Sequence, residues 1–179
     1  MTEVRLAQEN DVSPYYWQHL VRHGKESGQG SDITFTPDEY LVSSEDLLKK
    51  EKNDKWWRSL KEPGWEKCWI VVDDQGIYGS LRLYNSGLKS TLHRATLVMG
   101  IERSHRQQGW GKRLMTEALS WASLQHSLEW IDLYVFAHNQ LALQLYSKVG
   151  FKKVGVVEDQ FRIEGQKIDD LHLTLNLRS

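Results

Sequence analysis

Two glycines one residue apart, Gly109 and Gly111, separate an apolar run from a long amphipathic stretch. Residues 95–101 are typical of a strand, and residues 108–126 repeat apolar side chains at helical spacing, so a helix would begin beside the glycines. Glycine lets a ligand approach the backbone closely, and a helix N-terminus presents free N–H groups at the positive end of its dipole. These features predict an anion site for which a pyrophosphate is the natural ligand. A tight turn with no ligand is the alternative.

The segment differs from two common nucleotide-binding motifs. A P-loop requires G-x-x-x-x-G-K-[ST], but here Lys112 is followed by Arg113, and no glycine stands five positions before Gly111. A dinucleotide-binding fingerprint requires a third glycine where this chain has Leu114. Lys112 and Arg113 are unfavourable in the first turn of a helix, yet their charge suits a phosphate.

Two segments resemble the signature motifs of the GNAT N-acetyltransferases. The first, similar to R/Q-x-x-G-x-G/A, is Arg106-Gln-Gln-Gly-Trp-Gly111. The second, similar to N-x-x-A-x-x-L-Y-x-x-x-G-F, is Asn139-Gln-Leu-Ala-Leu-Gln-Leu-Tyr146-Ser-Lys-Val-Gly150-Phe151. The two stand in the family's order about 30 residues apart, and the likeness is strong over 95–155 and weak before residue 65. Residues 168–171, Ile-Asp-Asp-Leu, are also similar to the last strand of small GNAT enzymes.

The resemblance implies an α+β fold, with a mixed, mostly antiparallel sheet of about seven strands flanked by about four helices. It also implies acetyl-CoA as co-substrate and direct transfer of the acetyl group to a primary amine. The glycine loop would bind the pyrophosphate, and the strand before it would bind the pantetheine arm and polarise the thioester carbonyl. The residues expected to bind acetyl-CoA are Met99, Gly100, Ile101, Arg106, Gln107, Gln108, Gly109, Trp110, Gly111, Lys112 and Asn139.

Tyr146 is the catalytic residue that the resemblance implies. It follows Asn139 by two helical turns, so both side chains lie on one face. In the family the tyrosine protonates the leaving thiolate, a task that suits a phenol that is neutral at pH 7. A core aromatic is the alternative for Tyr146, and a helix N-cap is a second role for Asn139.

No general base is assigned. Many family members carry a glutamate five positions before the asparagine, where this chain has Tyr134. Others carry it in the strand before the glycine loop, but residues 95–101 hold no carboxylate. Glu102, His105 and His138 are nearby candidates, each expected to be a solvated surface group. A water relay to a backbone carbonyl is another route.

The elements that must position these residues follow from hydrophobic periodicity and turn signals. They predict the order β-α-α-β-β-β-α-β-α-β-β, with early helices reaching Gly24 and about Leu60. We expect one domain over 1–179, in which 66–179 form the acetyl-CoA-binding core. Residues 1–65 would supply acceptor-side helices and a lid at 24–38. The early aromatic residues are core side chains or acceptor-pocket walls: Tyr15, Tyr16, Trp17, Trp56, Trp57 and Trp65.

Composition excludes several classes of protein. With 23 Lys+Arg against 24 Asp+Glu, the chain lacks the basic surplus of a nucleic-acid binder. Its single cysteine, Cys68, excludes an intrachain disulfide, and the histidines lack metal-site spacing. No apolar run approaches a membrane span, and residues 1–10 do not resemble a signal peptide. Together with the resemblance, which implies an acetyltransferase for a small-molecule or peptide amine, this composition leads us to expect a cytoplasmic, metal-free enzyme, with a homodimer left open. A longer acyl donor and a CoA-binding sensor or pseudoenzyme are the alternatives.

Overall fold

The computed structural model describes residues 1–11, 16–26, 54–163 and 165–178. Within them, seven strands form one sheet in the order β1-β2-β3-β4-β5-β7-β6. The strands are β1 (Glu3–Leu6), β2 (Glu66–Asp73), β3 (Gly76–Tyr84), β4 (Arg94–Ile101), β5 (Trp130–Phe136), β6 (Lys152–Ile163) and β7 (Gln166–Asn176). The four described α-helices are α1 (Glu9–Asp11), α2 (Trp17–Gly24), α3 (Trp110–Ser123) and α4 (Gln140–Lys148). None of the described helices is long and apolar enough to cross a membrane.

The expected mixed, mostly antiparallel sheet is confirmed. Among the described strands every neighbouring pair is antiparallel except β4 and β5, which run parallel and are connected through α3. The long sheet therefore carries one helical crossover in its middle, as the strand–helix–strand pattern of the sequence predicts.

Helices α3 and α4 pack on one face of the sheet. The buried residues of α3 recur at helical spacing and meet apolar side chains from the central strands in the main core. Among its members are Trp65, Trp69, Leu81, Leu83, Leu97, Leu114, Met115, Ala118, Ile131, Leu133 and Tyr146. Helix α2 lies on the opposite face, where Tyr16, Cys68, Ile70 and Ile77 form a second cluster. The sheet thus separates a face covered by α3 and α4 from a face on which α2 lies.

The N-terminal half differs from its prediction. A helix does end at Gly24, but residues 54–60 contain only a 3-10 turn, Asp54–Trp56, so the helix expected to reach Leu60 is wrong there. The Lys67 ammonium donates to the carbonyl of Trp56 at 2.7 Å, and the Trp56 indole donates to Glu66 at 2.8 Å. These contacts direct the chain into β2 in place of a further helical turn. Tyr15, residues 27–53 of the expected lid and second helix, and the Trp17 side chain lie outside what the structure describes.

The early aromatic residues divide between core and surface. Tyr16, Trp56 and Trp65 are buried, whereas the neighbouring Trp57 is 49% exposed. Adjacent aromatics in the 3-10 turn and its exit therefore do not share one pocket. Trp56 packs edge-on against Tyr16 with ring centroids 4.9 Å apart, which makes both of them core residues.

Candidate active site

The two central parallel strands are paired along only half of their length. The ladder between β4 and β5 runs from Arg94 opposite Trp130 to Leu97 opposite Leu133 and then ends. Beyond it, β4 remains paired with β3 as far as Ile101, and β5 remains paired with β7 as far as Phe136. We call the unpaired region between residues 98–101 and 134–136 the β4–β5 split.

The alternation of hydrogen bonds along β4 shows which backbone groups face the split. The Glu102 N–H donates to the Tyr78 carbonyl of β3 at 2.9 Å, so Gly100, two residues earlier, also faces β3. Met99 and Ile101 therefore direct their N–H and C=O groups to the other side. No described strand pairs with Met99 at that edge. Its amide is available to a ligand that carries amides or a thioester carbonyl.

The loop before α3 has the backbone geometry that its glycines predict. Gln107 and Gly109 have φ values of 60° and 84°, in the left-handed region, and Gly109 is the N-cap of α3. The Gln108 amide donates to the Ser104 carbonyl at 3.2 Å and accepts from the Trp110 indole at 3.2 Å, which holds the loop in place. The Lys112 side chain is exposed on the first turn. The helix N-terminus is thus open to an anion.

Arg106, the first residue of the glycine motif, points inward. Its Nε donates to the Ile101 carbonyl at 2.8 Å, and its terminal nitrogen donates to Glu26, just after α2, at 2.9 Å. Arg106 therefore ties the loop to the end of β4 and to the α2 side of the sheet. In this structure its side chain is a positioning element.

Gly111 faces the place where three elements meet. An ideal Cβ at this position would lie 3.5 Å from Ile101 Cδ1 of β4, 3.5 Å from Leu145 Cδ2 of α4 and 3.7 Å from Met99 Cε. These are ordinary van der Waals distances, so the glycine lets the first turn of α3 pack closely against β4 and α4. The helix N-terminus is thereby held beside the end of β4.

Helix α4 carries the second predicted pair. Asn139 is its N-cap, and its side-chain oxygen accepts the Ala142 N–H at 3.2 Å. Tyr146 is only 6% exposed and packs edge-on against Phe151, with ring centroids 5.8 Å apart. Burial raises the pKa of Tyr146 to about 12, and no described side chain offsets that effect. The phenol therefore keeps its proton at neutral pH.

The expectation that Glu102 is a solvated group is wrong. Glu102 is 6% exposed and accepts hydrogen bonds from His19 Nδ1 at 2.8 Å and Arg22 Nε at 3.0 Å. Burial by itself would raise the pKa of Glu102, but the hydrogen bonds from His19 and Arg22 lower it below its ordinary value. Burial likewise lowers the pKa of His19, which keeps that imidazole neutral. These contacts make Glu102 part of a buried structural cluster.

The remaining groups that were candidates for a base position differ in how exposed they are. His138 is exposed, as predicted, and stacks on Phe136. His105 is half-buried because its ring stacks on Tyr78 at a centroid distance of 3.9 Å. Tyr134, at the position where the resemblance implies a glutamate, is exposed, and its ring stacks on that of His172 at a centroid distance of 4.7 Å.

Sequence reasoning missed Asp170. The residue is 4% exposed, and its Oδ1 has no hydrogen-bond partner among the described residues. Burial raises the pKa of Asp170, an effect that the neighbouring His172 partly opposes. Leu171 and Leu173 pack into the core beneath α3 and α4, so Asp170 and His172 project from the α2 face. Alternation along 168–173 was the available signal, because it places Asp170 on the same face as His172.

His23 was missed as well, because the signal lies in a distant part of the chain. An ideal Cβ on Gly100 would lie 2.7 Å from His23 Nε2. The imidazole therefore rests directly on the strand that borders the split.

Comparison with known proteins identifies the class to which this fold and site belong. Residues 64–153 match the family model of the acetyltransferase (GNAT) domain. This is half of the chain, and it contains β4, the glycine loop, α3, β5 and α4. The chain therefore belongs to the GNAT acetyltransferases and is an acyltransferase.

Individual relatives agree with this membership. The uncharacterized N-acetyltransferase YycN of Bacillus subtilis (strain 168) is 27% identical over 160 residues, which is 88% of this chain and 97% of that protein. An acetyltransferase of the GNAT family from Streptococcus pneumoniae has a TM-score of 0.79 at 24% identity, covering 98% of this chain and 99% of that one. The Salmonella typhimurium protein yncA, solved with acetyl-CoA, has a TM-score of 0.75 at 12% identity, covering 99% and 94%. The last two likenesses concern the fold.

Proposed function

We propose that this acyltransferase moves an acetyl group from acetyl-CoA to a primary amine, which attacks the thioester directly. The observation that carries the proposal is the β4–β5 split beside the N-terminus of α3. An open strand edge suits the amides of pantetheine, and the helix N-terminus suits the pyrophosphate. Close packing at Gly111 holds the helix N-terminus beside β4, which supports binding of both parts by one ligand.

Different predicted residues would bind different parts of acetyl-CoA, which supplies the acetyl group as an activated thioester. The N–H groups of Gln108 to Gly111 would bind the pyrophosphate, with Lys112 beside them on the first turn of α3. Met99 and Ile101 would bind the arm along β4, and the Met99 N–H would polarise the thioester carbonyl. Asn139 would contact the arm from the start of α4, and Tyr146 would donate a proton to the departing sulfur.

The state of the cysteine supports direct attack by the amine. Cys68 is buried on β2 in the cluster beneath α2, and burial raises the pKa of its thiol. A protonated, buried thiol is a poor nucleophile. The described residues thus offer no cysteine thiolate to carry the acetyl group as an intermediate.

Asp170 supports a cationic acceptor. It lies opposite Phe136, the last residue of β5, where β4 is no longer paired. A buried carboxylate without a hydrogen-bond partner is costly unless something compensates its charge. An ammonium group on the α2 face of the split would supply that compensation, so we assign Asp170 as an anchor for the acceptor.

Asp170→Asn is expected to stabilise the protein and to weaken binding of the acceptor amine. Because the folded-state pKa of Asp170 is raised, its ionised form destabilises the native state above that pKa. The free energy of unfolding should therefore rise by about 1 kcal/mol at neutral pH. The gain should vanish below the ordinary aspartate pKa of about 3.9. KM for the amine should increase severalfold. Urea unfolding at two pH values and acceptor kinetics measure both effects, and a variant that loses stability at neutral pH would contradict this assignment.

A direct assay tests the proposed function. Purified protein is mixed with acetyl-CoA and a panel of primary amines that includes amino acids, polyamines and peptide N-termini, and release of free CoA is followed. Release that depends on one class of amine is the expected result. Binding of acetyl-CoA by calorimetry without release for any amine would instead favour a CoA-binding sensor.

A further inference from the structure

His23, in the last turn of α2, occupies the space that a side chain at position 100 would need. An ideal Cβ on Gly100 would lie 2.7 Å from Nε2 and 2.8 Å from Cδ2 of this imidazole. The φ of Gly100 is not in the left-handed region. Close approach of the imidazole, and not backbone conformation, therefore accounts for the glycine.

The other ring nitrogen of His23 is held by a carboxylate. Nδ1 lies 3.1 Å from Glu26 Oε2. A carboxylate oxygen accepts the hydrogen bond, so Nδ1 carries a proton, and in the neutral imidazole the lone pair then lies on Nε2. No hydrogen bond joins Nε2 to any described residue. A glutamate that orients a histidine in this way leaves a basic nitrogen pointing at β4.

Glu26 is itself fixed from the side of the glycine loop. Its Oε1 accepts the Arg103 N–H at 2.6 Å, and its Oε2 accepts the Arg106 guanidinium at 2.9 Å. The His19 ring stacks on His23 at a centroid distance of 6.0 Å and an interplanar angle of 6°. The imidazole is thus restrained by groups from α2 and from the loop that follows β4.

The position of His23 relative to the split determines which nitrogen an incoming amine would meet. Met99 and Ile101 lie on the core face, which α3 and α4 cover, and Gly100 between them opens to the face of α2. An amine that reaches a thioester held by β4 from that face would meet Nε2. The competing histidine is already occupied, because His19 contacts Glu102 through Nδ1 and the Ser80 hydroxyl through Nε2.

We propose that His23, oriented by Glu26, is the general base of the acetyl transfer, an assignment that rests on the proposed function. Nε2 of His23 accepts a proton from the amine as its nitrogen forms the bond to the acetyl carbon. The carbon–sulfur bond breaks, and the sulfur takes a proton from the Tyr146 hydroxyl. Solvent then removes the proton from His23 and restores the one on Tyr146, so the cycle balances. The base therefore comes from α2, which explains why neither family position for a glutamate is filled.

The charged and titratable groups near His23 bear on the pH experiment. Glu26 and His19 contact the imidazole itself, Glu102 contacts His19, Arg106 contacts Glu26, and Arg22 contacts Glu102. His23→Asn can keep an N–H donor toward Glu26 and removes the basic nitrogen together with the outer part of the ring. We expect kcat/KM for the amine to fall at least about tenfold at neutral pH. The defect should persist as pH approaches the acceptor's own pKa, about 10 for a lysine-like amine, because His23 takes the proton released during bond formation and not the one that the amine loses in solution.

Three controls distinguish the role of His23 and Glu26 from acetyl-CoA binding and from a general effect of the substitution. Acetyl-CoA affinity measured by calorimetry should not change in His23→Asn. His126→Asn alters an exposed histidine in the turn after α3 and should behave as wild type. Nitrogen-15 NMR of the imidazole should show the Nδ1–H form in the wild type, and this preference should weaken in Glu26→Gln.

The general base, the Glu26 orientation and the proposed function would each be contradicted by a different result. Wild-type kcat/KM at neutral pH in His23→Asn would overturn the assignment of the base while leaving acetyl transfer intact. An Nε2–H tautomer in the NMR spectrum would overturn the Glu26 orientation irrespective of activity. A wild-type protein that transfers acetyl to no amine would overturn the proposed function itself.

Discussion

Tyr146→Phe is expected to lower kcat by about 100-fold while KM for acetyl-CoA stays near its wild-type value. Tyr146 is buried, and its raised pKa of about 12 keeps the phenol protonated at neutral pH. A thiolate leaves more readily when its sulfur receives a proton, and that help is required only in the transition state. Phenylalanine retains the ring and its edge contact with Phe151, so the lost hydroxyl is the only change. Steady-state kinetics with saturating amine measures the effect.

The matched control for this experiment is Tyr16→Phe. It removes the hydroxyl of another buried tyrosine, on the opposite face of the sheet in the cluster with Trp56 and Cys68. Both variants should lose about 1 kcal/mol of unfolding free energy or less, the scale of one hydrogen bond. Only the Tyr146 variant should lose turnover. Wild-type kcat in Tyr146→Phe, measured where chemistry limits the rate, would remove Tyr146 from the mechanism.

The sequence predicts well those helix starts and ends that depend on neighbouring residues. Two glycines beside an amphipathic stretch mark the start of α3, and Asn139 and Gly150 bracket α4 with the expected N-cap and a left-handed φ of 97°. Each signal spans only a few residues, because capping and helical periodicity act over one or two turns. The family motifs add the order of strands that such patterns leave open.

The parts that sequence missed depend on contacts between distant positions. His19 and Glu102 are 83 residues apart, and Arg106 and Glu26 are 80 apart. Nothing in the residues around Glu102 indicates that a helix from the N-terminal half will bury it. The same holds for Gly100. Its role becomes clear only in the structure, where the imidazole of His23 occupies the space that a side chain at position 100 would fill. The candidate base therefore emerges from packing between α2 and β4.

The position of Gly111 in the first turn of α3 leads to the second large effect. In Gly111→Val, two methyl groups would extend beyond a Cβ that already lies 3.5 to 3.7 Å from Ile101, Leu145 and Met99, beside the helix N-terminus where we propose that acetyl-CoA binds. Acetyl-CoA affinity should fall at least about tenfold, which is about 1.4 kcal/mol. Isothermal titration calorimetry measures the affinity, and circular dichroism verifies that the variant is folded.

Gly111→Ala separates obstruction of the ligand from damage to the fold. An alanine Cβ would sit at ordinary contact distance from its neighbours, and alanine is favoured over glycine within a helix by about 0.5–1 kcal/mol. The alanine variant should therefore be at least as stable as the wild type, and its loss of affinity should lie between those of wild type and valine. Affinity that declines with side-chain size in folded variants supports a ligand path beside Gly111. A folded valine variant with wild-type affinity would show that acetyl-CoA does not approach the backbone at Gly111.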